Sequence, residues 1–147
     1  MTTTWTDRGL FAIRLVLGLV FVMHGWQKLA VFGHAGVTGL LAGLGLPVPA
    51  VAAVLLTGAE LVGGLALLAG AFTRVAAALV AFVMLVAIVT VHLPNGFFLP
   101  NGYEFALTLL LSSVALTMTG AGAYSVDRLL DARQSAETDA MPRRRAA

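Results

Sequence analysis

Arg14, His24, Lys28, Glu60, His92 and Glu104 are ionisable side chains set in stretches that are otherwise apolar. Imidazoles and carboxylates exchange protons, and an ammonium donates hydrogen bonds to a polar head group, so this set can do acid–base or head-group chemistry. At bilayer depth each charge costs roughly 2.5–3.5 kcal/mol unless it finds a partner or a wet cavity. Arg14, Gly18, Phe21, Gly25 and Lys28 fall in steps of four and three along one helical stripe, with His24 beside it. The two glycines let another helix come close where the cations need company. Glu60 precedes Gly63 and Gly64 on a second helix, so it also points into a face of close approach. Several of these residues have plain structural explanations. Lys28 can snorkel to the head groups; His92 at a helix end and Glu104 in a first helical turn each complement the helix dipole. Glu60 sits near no terminus.

The elements that position these residues follow from composition. With 59% hydrophobic and 11% charged residues, the chain is far from a soluble domain, where about a quarter are charged. It reads as an all-α integral membrane protein, an antiparallel four-helix bundle. The basic balance comes partly from Arg143, Arg144 and Arg145 in a polar tail. It is therefore membrane topology, with no nucleic acid implied. The absence of cysteine removes disulfides, thiolate metal sites and thiol relays.

Residues 1–8 form a short polar start, 9–123 the bundle, and 124–147 a short amphipathic helix with a basic tail that reads as disordered beyond about Gln134. The spans are expected at about 9–30, 50–70, 75–92 and 103–119. A signal peptide is excluded because Arg14 interrupts the first apolar run and no cleavage site follows. Residues 31–49 are expected to lie as a loop on the membrane surface, with a re-entrant or interfacial segment at 37–44 as the alternative. Pro94-Asn95-Gly96 and Pro100-Asn101-Gly102 mark a turn on either side of Phe97 and Phe98. In the fourth span Glu104, Thr108, Ser112, Ala115 and Thr119 share a stripe expected to face the neighbouring helices. Arg8, Arg74, Arg128 and Arg133 all fall on one side if both termini are cytoplasmic, and the third-to-fourth loop has no Lys or Arg. The positive-inside rule then sets four spans with both ends in the cytoplasm.

Depth groups the polar residues. From the helical rise, Arg14 lies about 7 Å and Glu60 about 15 Å from the cytoplasmic edge, a gap that an extended arginine covers. An Arg14–Glu60 buried pair is therefore expected. His24, Lys28, His92 and Glu104 come out near the opposite edge, as an outer cluster with Glu60 beneath it. No HxxH or HExxH spacing supports a metal, and no residue is assigned as catalytic.

The pattern resembles the DoxX family of small four-helix bacterial membrane proteins, with its DoxD-like relatives. The resemblance is carried by Arg14-Leu15, Gly18-Leu19-x-Phe21-x-x-His24-Gly25-x-x-Lys28, Gly45-Leu46-Pro47-x-Pro49 and Gly58-x-Glu60-Leu61-x-Gly63-Gly64. It continues in Gly70-x-x-Thr73-Arg74, His92, Gly96-Phe97, Gly102-Tyr103-Glu104 and Gly120-x-Gly122-x-x-Ser125-x-Asp127. It implies location in the bacterial inner membrane and association with oxidoreductase systems, including a thiosulfate:quinone oxidoreductase and oxidative-stress complexes.

Three functions fit these residues. One is an accessory membrane subunit of a quinone-linked oxidoreductase, its partner a membrane or peripheral enzyme, with quinone held near the outer cluster. In that case His24 and Glu104 exchange protons, and Trp26, Phe97, Phe98 and Tyr103 give flat contacts. Another is a non-catalytic scaffold for partner proteins. The third is a small-solute or proton pathway past Glu60, which four helices enclose only as a homo-oligomer.

Overall fold

The computed structural model describes residues 4–140; Arg143, Arg144 and Arg145 lie outside them, as does the tail beyond Ala140. Regular structure among the described residues is entirely helical. The first helix starts earlier than its apolar pattern, because Thr4 and Asp7 form a capping box. Asp7 N–H donates to Thr4 Oγ1 at 3.2 Å and Thr4 N–H to Asp7 Oδ2 at 2.9 Å. Helix α1 runs Trp5–Trp26, continues as a π-helical stretch Gln27–Phe32, and passes into α2, Gly33–Gly43. Gly33 adopts φ +64°, which breaks the direction of the chain there. The segment expected as a surface loop is thus mostly helical. Its Val37 and Leu41 bury against Ala53, and that packing outweighs the glycine content.

Helix α3, Pro49–Ala69, opens on proline and closes at Gly70, left-handed at φ +67°. Helix α4, Thr73–Ala87, ends in a second π-helical stretch, Ile88–His92, and a 3₁₀ turn, Leu93–Asn95. Helix α5 spans Glu104–Thr119 and α6 spans Val126–Ala140. α6 runs through Gln134, where a disordered tail was expected, since Ala, Arg, Gln and Glu there favour helix.

α1 packs against α3, α3 against α4, and α4 against α5; Gly18 meets Leu68 and Gly25 meets Leu61, so α1 and α3 run antiparallel. Glycines set the α1–α3 distance. A Cβ on Gly64 would lie 2.7 Å from Val22 N and 2.9 Å from Gly18 O, so the backbones touch. Leu17, Phe21, Leu67, Val80, Leu109 and Leu116 fill the centre. The outward surface is as apolar as the core, with Leu19, Val62, Phe82 and Leu111 all exposed. Water does not suit such a surface; hydrocarbon does. Trp5–Gly43, Pro49–Ala69 and Thr73–Asn95 are each long and apolar enough to cross a membrane. α5, at 16 residues, spans only about 24 Å.

The expected polar face of α5 is reversed. Ala106, Leu109, Ser113 and Leu116 are buried, while Thr108 and Thr119 face outward. Their hydroxyls donate to the carbonyls of Glu104 and Ala115, each 2.9 Å or less, so they need no neighbouring helix.

Candidate functional site

Arg14 and Glu60 do not pair. The α1–α3 glycine contacts fix a register that puts Arg14 level with Gly70, where an added Cβ would strike the guanidinium. Ten residues of α3 separate Gly70 from Glu60, about 15 Å of rise and beyond the reach of one side chain. Arg14, 1% exposed, instead closes the end of the molecule where α1 begins. Its Nη1 donates to Ala121 O at 2.9 Å and its Nη2 to Tyr124 O at 2.7 Å. Gly120 and Gly122, both at positive φ, shape the turn that presents those carbonyls. Two aspartates complete this latch. Asp7 Oδ1 accepts from Ala123 N–H at 2.9 Å, and Asp127 accepts from Phe72 and Thr73 N–H at 2.6 and 2.9 Å. An acid at the first amides of α4 complements the helix dipole. It also holds Phe72 at φ +48°, a conformation that a bulky residue rarely adopts. Sequence reasoning gave neither aspartate a role, although Thr4-x-x-Asp7 is a capping-box signature and Asp127 closes the Gly120-x-Gly122-x-x-Ser125-x-Asp127 pattern.

Glu60 pairs with Lys28. The ammonium Nζ donates to Oε1 at 2.9 Å and lies 2.8 Å from Oε2. Both carboxylate oxygens thus face the ammonium, and Oε2 has no other partner among the described residues. The carboxylate is 3% exposed and the ammonium-bearing side chain 16%. Helical side chains lean toward their own N-terminus, which brings Lys28 back down α1 to the level of Glu60. Lys28 rides on the π-helical stretch that ends α1, a distortion frequent at functional sites.

The pair lies on the wall of a cavity of about 1440 Å³. Its lining is mostly apolar, from α1, α2, α3, α4 and α5, with His24, Lys28, Glu60 and His92 among the polar exceptions. Four of the residues expected to cluster therefore meet one cavity. Glu104 does not. Its Oε1 accepts from Leu99 N–H at 2.8 Å, and it organises the turn before α5. His92 Nδ1 is 3.0 Å from Asn101 O, which ties the second π-helical stretch to the same turn. Of the aromatic residues expected at the site, Phe97 packs edge-on with Phe98 and Tyr103 at 5.2 and 5.3 Å. Trp26 is half-exposed on α1, and none of these four rings lines the cavity.

The arrangement offers a cation and an anion that neutralise each other and two imidazoles, inside apolar walls. A site of net zero charge suits an uncharged polar head group better than a phosphate or a carboxylate.

Comparison with known proteins places this chain among membrane proteins. A family model described as DoxX matches residues 9–93. The putative oxidoreductase CatD of Bacillus subtilis (strain 168) is 32% identical over 81% of this chain and 84% of its own length. Inner membrane protein YqjF of Escherichia coli (strain K12) is 34% identical over 85% of this chain and 94% of its own. An uncharacterized membrane protein of Mycobacterium tuberculosis (strain ATCC 25618 / H37Rv) is 35% identical over 84% and 82%. No solved structure matches significantly.

Proposed function

Since the chain belongs to the DoxX family and is a multi-pass membrane protein, we propose that it serves as the membrane subunit of a quinone-linked oxidoreductase in the bacterial inner membrane. α1, α3, α4 and α5 cross the bilayer as a four-helix bundle, with both termini in the cytoplasm. The Arg14 latch is then at the cytoplasmic end and the cavity in the outer half of the membrane.

The observation that carries this reading is the buried Lys28–Glu60 ion pair on the wall of an apolar cavity. A quinone supplies, when bound, a couple that takes two electrons and two protons between a carbonyl and a hydroxyl form. The chain's own residues fit both forms. Lys28 Nζ donates to a carbonyl oxygen, and Glu60 Oε2 accepts from a hydroxyl. Glu60 holds Lys28 in place, and His24 and His92 give the cavity wall groups able to hold and release a proton. The name of the Bacillus relative agrees with a redox role.

Purification of the full chain in native lipid particles, followed by solvent extraction and chromatography, tests the reading. Quinone is expected in excess of its share of the surrounding lipid, and that excess is expected to vanish in Lys28→Met combined with Glu60→Leu. Equal quinone in lipid and protein fractions refutes it.

One observation favours the scaffold reading. α6 starts from the rigid latch and exposes Leu129 and Leu130 beyond it. Replacing Leu129 and Leu130 by serine without loss of partner enzyme from the purified complex counts against that role.

A further inference from the structure

The cavity is larger than a ring-sized head group requires. Drug-sized ligands occupy pockets of roughly 300–1,000 Å³, and this one holds about 1440 Å³. Most of the wall beyond the Lys28–Glu60 pair is aliphatic. The excess lies partly between α3 and α4. Gly63 contacts Val80 where α3 meets α4; Leu55, Ala59 and Val62 recur in steps of four and three on α3, as Leu79, Phe82 and Val86 do in steps of three and four on α4. All six line the same cavity as Lys28 and Glu60. Leu55, Val62 and Phe82 are also each about two-thirds exposed on the outward surface. They therefore belong to the cavity and to the lipid-facing surface together, and form a window from one to the other.

Resting on the quinone reading above, we propose that the α3–α4 groove holds the hydrocarbon chain of the same molecule whose head meets Lys28 and Glu60. The ligand is a lipid-borne, long-chain compound that enters sideways from the bilayer. Continuity carries the argument. An apolar channel that begins at a neutral polar pair and ends in hydrocarbon matches an uncharged head on a long chain. A phospholipid would have to bring a charged phosphate between apolar walls to a charge-balanced pair. A short-chain compound would leave aliphatic walls without contacts.

The test uses the full chain in nanodiscs of phosphatidylethanolamine and phosphatidylglycerol. The probe is a long-chain benzoquinone with a diazirine at the chain end, and adducts are mapped by mass spectrometry. Adducts are expected on peptides carrying Val62, Leu79, Phe82 or Val86, suppressed by excess unlabelled long-chain quinone. Val62→Trp fills the window from an exposed position. It should cut that labelling about tenfold, equivalent to about 1.4 kcal/mol, with thermal unfolding unchanged. Competed adducts confined to Leu99, Pro100 or Phe105 overturn the window while leaving the head-group site intact. Window adducts that excess quinone does not displace, or that a diazirine phospholipid gives equally, assign the groove to bulk lipid and overturn it. Covalent dimers through the window assign it to a second copy and overturn it too. Absence of saturable labelling anywhere refutes the quinone reading itself.

Discussion

Breaking the Lys28–Glu60 pair from one side should destabilise the protein far more than removing both partners together. Lys28→Met strands a carboxylate that is 3% exposed, and an uncompensated buried charge costs about 3–5 kcal/mol. Glu60→Leu strands the ammonium instead. Lys28 is 16% exposed on a flexible stem and lines the cavity, so its charge can reach water, and the loss should be smaller, about 2–3 kcal/mol. Combining Lys28→Met with Glu60→Leu removes both charges and leaves two apolar side chains of similar bulk, for a net loss of about 1 kcal/mol or less. The cycle therefore predicts a coupling of about 4 kcal/mol or more. Reversible unfolding in mixed detergent with sodium dodecyl sulfate, followed by circular dichroism, reads all four proteins. Losses that add within about 0.5 kcal/mol refute the pairing and the register that produces it. The same cycle on Arg14 and Glu60 should be additive, because about 15 Å of helix separates them.

Other consequences are as direct. Gly64→Ala puts a Cβ against Val22 N and Gly18 O and should cost about 1–3 kcal/mol, whereas Gly39→Ala, with nothing within 4 Å, should be neutral or stabilising in the same unfolding assay. Arg14→Lys keeps the charge but loses the fork that reaches Ala121 O and Tyr124 O together, and should cost about 1.5–3 kcal/mol. Glu104→Gln keeps the oxygen that accepts from Leu99 N–H and lies outside the cavity, so it should leave quinone content unchanged; a loss would move the site toward the α5 turn. A reporter active only in the cytoplasm should work after Thr73 and at the carboxyl terminus and fail after Asn95; activity at Asn95 refutes the proposed orientation.

Much of the frame was legible because its cause is local. Apolar length and the scarcity of charge dictate membrane helices whatever packs against them. The stripe Arg14, Gly18, Phe21, Gly25 is buried as the 3.6-residue period requires, and Glu60 is buried with Gly63 and Gly64 for the same reason. The amino-terminal cap was equally written in Thr4 and Asp7, and went unread because it precedes the apolar run.

Which charges meet was a tertiary matter. Periodicity says which face a residue occupies, but not how far one helix slides along the next, and a slide of two turns is about 11 Å. Here the slide is set by backbone contacts at Gly18, Gly25 and Gly64, which carry Arg14 to the carbonyls beyond α5 and leave Glu60 to Lys28. The sequence likewise told that Thr108 and Thr119 share a face of α5, but not that their hydroxyls would turn back to their own helix and release that face to lipid. The cavity was hidden for a further reason. It is space left between α1, α2, α3, α4 and α5, and no residue or interval of the chain encodes a gap that only their mutual placement creates.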